Sequence, residues 1–201
     1  MTEEHLGGCI TYDNFPGFGK GDVGTWAPQV WDKLIETYQP KSLIDVGCGA
    51  GFSTEYFLQK GLEILGVEGY LPAIESSPIK EYIHIHDFIK SEFIPEKKYD
   101  LGWCCEFVEH VEEQYTNNFM ITFSNCSVVA MTHGVPGQPG FHHVNCQPAT
   151  YWIEKFKTFG FSYNEMLSLE CRALLPSYTD DSSFIPNGSH VKNTLMIFEK
   201  I

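Results

Sequence analysis

The stretch Asp45-Val46-Gly47-Cys48-Gly49-Ala50-Gly51 constrains the fold of this chain more than any other. It joins an apolar run, SLIDVG from residue 42, to a segment with helical patterning, FSTEYFLQK from residue 52. Glycines let a backbone turn sharply and pass close to a ligand. A strand, a glycine turn and a helix, in that order, open a parallel α/β unit. Glu68 ends the next apolar run, LEILGVEG, where a carboxylate can accept from both hydroxyls of a ribose. A dinucleotide fingerprint would want glycines at 47, 49 and 52, and position 52 is Phe. Asp45 lies just ahead of the first glycine, where a carboxylate attracts the cationic end of a ligand.

The rest of the chain keeps the same alternation. A helix is expected from about Trp26 to Tyr38, with Val30, Trp31, Leu34 and Ile35 at helical spacing and Pro40 ending it. Strands are expected at 81–88, 99–107, 126–133 and 193–200. Helices are expected at 111–124 and 148–161, the second closed by Gly160. The whole, 1–201, reads as a single domain with an irregular Gly-rich segment at 1–22. Helices on both faces of a parallel sheet follow, with the ligand side beyond the carboxyl ends of the strands.

Charge narrows the partners. Twenty-six acids stand against 13 Lys plus Arg, for a net charge of −13, and the sole arginine is Arg172. Such a surface repels nucleic acid and anionic lipid. A small acceptor, uncharged or cationic, is therefore expected. No apolar run approaches the roughly 20 residues of a membrane span, so membrane insertion is not expected. The N-terminus lacks the pattern of a secretory signal, and seven cysteines without zinc spacing fit a reducing, cytoplasmic setting. The oligomeric state is left open.

LIDVGCGAGFSTEYFLQKG followed by ILGVEG resembles motifs I and II of class I S-adenosylmethionine-dependent methyltransferases. HDF at 86–88 resembles that family's adenine-contacting segment, YDLGWCCEFVEHV its fourth-strand motif, and FKTFGF a late helix-to-strand turn. The resemblance spans about residues 25–200. It implies a Rossmann-like, seven-stranded, mostly parallel α/β sheet ending in an antiparallel hairpin. It also implies S-adenosyl-L-methionine as cofactor and a transferase activity. The cofactor's amino-acid end would lie by Asp45, Gly47, Cys48, Gly49 and Gly51. Its ribose would lie on Glu68, its adenine near Asp87 and Phe88, and its floor against Glu106.

EFVEHVEE places Glu106, Glu109, His110 and Glu113 on one face if that segment is helical. Acids at a helix N-terminus, a cofactor floor and a metal site all remain open. The last would resemble small-RNA terminal 2′-O-methyltransferases, which use Glu-x-x-Glu-His and a distant histidine. His143 would then be the fourth ligand for Mg²⁺, Mn²⁺ or a related ion. Downstream, HGVPGQPGFHHVN carries His133, His142 and His143 in a Gly/Pro-rich loop after the fifth strand. His142 and His143 are the candidate proton acceptors, with His143 expected to face the pocket. Asn145 would position a hydroxyl or cap the next helix.

Residues 165–191 read either as an insertion able to cover the pocket or as a core helix with a surface connection, opening with a helix that carries Met166, Leu167, Leu169 and Leu174. Three functions remain. The first is methyl transfer to a hydroxyl or amine of a small molecule. The second is metal-assisted RNA 2′-O-methylation. The third is cofactor binding without catalysis.

Overall fold

The computed structural model describes residue 6, residues 23–176 and residues 188–201. Apart from residue 6, the segment 1–22 lies outside the described residues, as does the 177–187 part of the expected insertion.

Seven strands form one sheet: β1 Ser42–Val46, β2 Glu63–Glu68, β3 Ile83–Ile85, β4 Tyr99–Cys104, β5 Cys126–Met131, β6 Phe161–Tyr163 and β7 Met196–Lys200. Their order is β3-β2-β1-β4-β5-β7-β6. The β1–β2, β1–β4, β2–β3 and β4–β5 pairs are parallel, whereas β7 runs antiparallel to both β5 and β6. The helices are α1 Pro28–Tyr38, α2 Phe52–Gln59, α3 Leu71–Ser76, α4 Thr116–Phe123, α5 Ala149–Thr158, α6 Glu165–Ala173 and α7 Ser189–Thr194.

Each element has a local cause. Helix α1 has Pro28 in its first turn, buries Val30, Trp31 and Leu34 on one face, and stops at Gln39 in the left-handed region. All five residues of β1 are buried, as a strand covered on both faces requires. Two apolar clusters lie across the sheet. One contains Trp31, Leu43, Phe57, Leu101, Trp103 and Ile197. The other contains Ile44, Val46, Phe119, Phe123, Trp152 and Phe198. Alternate residues of β1 and β7 thus enter opposite clusters.

Two expectations change here. The third strand pairs only over Ile83–Ile85, because it is the sheet edge and is joined to one neighbour alone. The acidic segment is no helix face. Glu106 has φ 51, and the segment forms two separate short 3₁₀ turns, at Val108–His110 and from Glu113. Helix α6 is packed: Leu167 and Cys171 lie in the core, while Met166, Leu169 and Leu174 are exposed. The Arg172 guanidinium donates through Nε to the Leu195 carbonyl at 2.8 Å, fixing α6 to the approach of β7. No helix among the described residues is long and apolar enough to cross a membrane.

Candidate active site

Strand order reverses between β1 and β4, so the loops after these strands diverge and leave a crevice at their carboxyl ends. The glycine loop forms one wall. The amides of Gly47 and Cys48 both donate to the Val67 carbonyl, at 2.9 and 3.3 Å. Gly47 has φ +72, and a Cβ there would overlap the Phe107 ring. The Cys48 thiol lies against Gly66, so Cys48 offers the crevice its backbone only. Beside Gly49 (φ +55) a Cβ would meet nothing within 4 Å, which leaves open space next to the loop. Gly51, φ +80, starts α2.

Two carboxylates flank that space. Glu68 accepts from the amides of Gly49 and Tyr70 at 2.8 Å each, and burial raises its pKa. Asp45 is buried, and its Oδ2 accepts from the hydroxyls of Ser53 and Thr54 at 2.7 Å each. Burial still pushes its pKa up to about 6 against those two bonds. Further along, Asp87 accepts from the Ile89 amide at 3.1 Å and pairs with Lys90 at 3.0 Å. Phe88 is only 4% exposed, with its ring edge-on to Phe107 and Phe119. Most of that ring is therefore spent on the core.

Beyond β4 the chain carries the reactive groups. One ligand-capable atom from each of Glu109, His110 and His143 lies within 4.8 Å of the other two. Glu109 is completely buried, and neither carboxylate oxygen has a hydrogen-bond partner. Burial and the neighbouring Glu106 charge raise its pKa to about 8. His110 Nδ1 is likewise buried without a partner. Burial, then the His143 charge, depresses the His110 pKa to about 4. Such unpaired buried groups are costly, and a divalent cation would give each of them a partner.

The histidine loop is stitched to this cluster. The amides of Val144 and Asn145 donate to the Glu109 carbonyl at 2.9 and 3.0 Å. The buried Asn145 side chain reaches the Val108 carbonyl and Thr116 hydroxyl at 3.4 Å each. It does not cap α5, whose N-cap is Pro148. His143 thus joins Glu109 and His110. His142, at φ 51, stays outside the cluster, and its buried Nε2 has no partner. His133 is buried beside Trp152, where burial lowers its pKa.

Glu106 is also outside the cluster. Its carboxylate accepts from Thr132 Oγ1 at 2.9 Å, and its other oxygen lies 3.2 Å from His190 Nδ1. Sequence reasoning did not find Thr132 or His190. They reach Glu106 from β5 and α7, and no local pattern links them to it.

Comparison with known proteins agrees with this fold. Residues 44–126 match the family model described as a methyltransferase domain. Over these residues the chain carries a methyltransferase domain of the class I, S-adenosylmethionine-dependent type. Its match to the ubiquinone biosynthesis O-methyltransferase of Pseudomonas fluorescens (strain SBW25) is 32% identical over 81 residues. That match covers 36% of this chain and 34% of the relative, so it spans about a third of that protein's length. Among solved structures, the magnesium protoporphyrin IX methyltransferase of Synechocystis PCC 6803, with bound SAH, superimposes with TM-score 0.62 at 13% identity, covering 89% of this chain and 83% of that one. The methyltransferase domain of bacterial CtHen1-C gives TM-score 0.60 at 15% identity, over 89% and 98%. At such identities the likeness concerns the fold of the methyltransferase domain.

Proposed function

We propose that the protein transfers a methyl group from S-adenosylmethionine to a hydroxyl of a small, uncharged or cationic acceptor, with a divalent metal ion held by Glu109, His110 and His143. One observation carries the metal: a fully buried carboxylate with no partner, meeting two imidazoles within 4.8 Å. Two nitrogens and a carboxylate suit Mn²⁺ or a neighbouring transition metal better than Mg²⁺. When bound, such an ion acts as a Lewis acid that makes a coordinated hydroxyl easier to ionise.

The chain's own residues provide the rest. The Gly49 amide holds Glu68 with its carboxylate at the end of β2, in position for ribose hydroxyls. Asp45, braced by Ser53 and Thr54, offers a carboxylate to the cofactor's ammonium end. That contact would offset the burial cost that keeps its pKa high. The open space beside Gly49 fits a ligand lying close to the backbone.

The alternative acceptor is the 2′-hydroxyl of an RNA terminus, favoured by the Glu-x-x-Glu-His spacing. The charge disfavours it. The net charge is −13, and the sole arginine is committed to the Leu195 carbonyl.

The test is incubation with labelled S-adenosylmethionine and a metabolite extract, with products read by mass spectrometry. Methylated product should disappear with chelator and return with Mn²⁺. Product that persists undiminished in chelator removes the metal. Cofactor binding without product in either condition leaves a catalytically inactive binding protein. Loss of activity on metabolites combined with turnover of an RNA oligonucleotide would move the acceptor to RNA.

A further inference from the structure

We infer that Leu6 is a cofactor-binding residue whose side chain packs against the adenine ring, in the gap between the ends of β2 and β3, an inference that rests on the cofactor placement above.

The direction in which the cofactor lies follows from two carboxylates. Asp45 is on β1, and Glu68 ends β2. In S-adenosylmethionine the amino-acid arm and the base leave the ribose at opposite ends of the sugar. With the ammonium end at Asp45 and the ribose hydroxyls on Glu68, the base continues away from β1. The next strand in that direction is β3. The His86 amide donates to the Glu68 carbonyl at 2.8 Å, so the chain leaving β3 runs beside the end of β2. Adenine therefore falls beside Gly69 and residues 86–88.

A purine needs apolar surface against its faces, and polar groups only at its edge. The side chain expected to give that surface is engaged elsewhere. Phe88 is buried, with its ring edge-on to Phe107 and Phe119. Asp87 brings a carboxylate, which suits the adenine amino group and not its faces.

Leu6 lies at this place. A Cβ on Gly69 would come 2.7 Å from Leu6 Cδ2, 3.1 Å from the His86 carbonyl and 3.8 Å from Asp87 Cα. A leucine methyl is thus seated on the residue that follows the ribose-binding glutamate, facing the segment that leaves β3. Gly69 is not among the glycines with positive φ, so its conformation does not demand glycine. The missing side chain instead makes the room that Leu6 uses. Leu6 is only partly buried, so the rest of its side chain remains available to a ligand. It comes from the N-terminal end of the chain, outside the residues 44–126 that match the methyltransferase family model. No local pattern links it to Glu68 or Asp87.

The test uses the full chain and S-adenosylhomocysteine, with affinity read by calorimetry. Leu6→Ala should weaken binding by about 3–10-fold, the size expected for losing part of a leucine's apolar contact. Leu6→Met, which conserves volume, should restore most of the affinity. The unfolding midpoint without cofactor should not move in either variant, which separates a ligand contact from a structural one. In protein carrying ¹³C-labelled leucine methyls, the Leu6 signals are identified by their loss in Leu6→Ala. In the complex they should show nuclear Overhauser contacts to adenine H2 or H8. Wild-type binding with unchanged affinity in Leu6→Ala, or a complex without those contacts, overturns the role of Leu6 alone. Tighter binding by Leu6→Ala overturns it as well, because Leu6 would then occupy the place of the base instead of flanking it. Wild-type protein that does not bind S-adenosylhomocysteine removes the cofactor placement, and this role with it.

Discussion

The Asn145 amide donates to the Glu109 carbonyl at 3.0 Å, joining the loop after β5 to the turn after β4. This bond explains how a histidine from a Gly/Pro-rich loop reaches a glutamate from another strand end. It also separates support from ligation. His143→Ala should weaken Mn²⁺ binding at least tenfold in calorimetry and leave metal-free thermal stability nearly unchanged. Asn145→Ala removes a buried side chain's bonds to Val108 and Thr116, so it should cost roughly 1–3 kcal/mol of stability and loosen Mn²⁺ as well. Equal effects of the two on metal-free stability would show that His143 is structural.

Metal should stabilise the fold itself. Glu109 has a pKa raised to about 8 and no partner. Saturating Mn²⁺ should raise the wild-type Tm by mass action, and the shift should vanish in Glu109→Gln. The metal-free variant should be at least as stable as metal-free wild type above pH 8, where the wild-type carboxylate is ionised. A Tm indifferent to Mn²⁺ across the series would count against the site.

Asp45 makes stability depend on pH in a definite direction. Its pKa rises from 3.8 to about 6 on folding. The folded state therefore holds the proton more tightly. The contribution is absent below about pH 4, grows unfavourable as pH rises, and is complete above about pH 6, at on the order of 3 kcal/mol. Asp45→Asn should remove this slope, so the stability difference between wild type and variant should change across that window in urea titrations. The same variant should bind S-adenosylmethionine more weakly. A difference that stays flat from pH 4 to 6 would contradict the burial argument.

Glu68→Ala should weaken S-adenosylhomocysteine binding by roughly 1–3 kcal/mol, the range for lost hydrogen bonds to a charged group. Because Glu68 also receives the Gly49 and Tyr70 amides, Glu68→Gln should recover only part of the loss. Unchanged calorimetric affinity in Glu68→Ala would place the ribose elsewhere.

Gly47 and Phe107 should couple. Gly47→Ala meets both a φ of +72 and the Phe107 ring. It should destabilise the protein, and Phe107→Ala in the same chain should return the part due to the ring, while the Cβ at 107, 2.6 Å from the added methyl, and the backbone part keep the rest. A double-mutant cycle with no coupling energy would mean that the two residues do not touch.

The sequence by itself determined whatever depends on neighbours along the chain. The alternation of apolar runs and amphipathic segments fixed the α/β layers, and three closely spaced glycines fixed the turn after β1. Glu68 at the end of β2 was legible for the same reason, since strand and turn are both local. The tertiary structure decided what depends on meeting across the sheet. Helix α3 is only six residues long, and α7 follows a segment rich in turn residues, so neither had enough periodicity to read. The insertion of antiparallel β7 between β5 and β6 is a pairing choice, and strand patterning alone is silent about it. Glu106 illustrates the limit most clearly. Its spacing to Glu109 and His110 suggests one helical face. Its positive φ, held by Thr132, turns its carboxylate to His190 instead. Backbone sterics disfavour that conformation for any isolated glutamate, so only contacts made by the folded protein could select it.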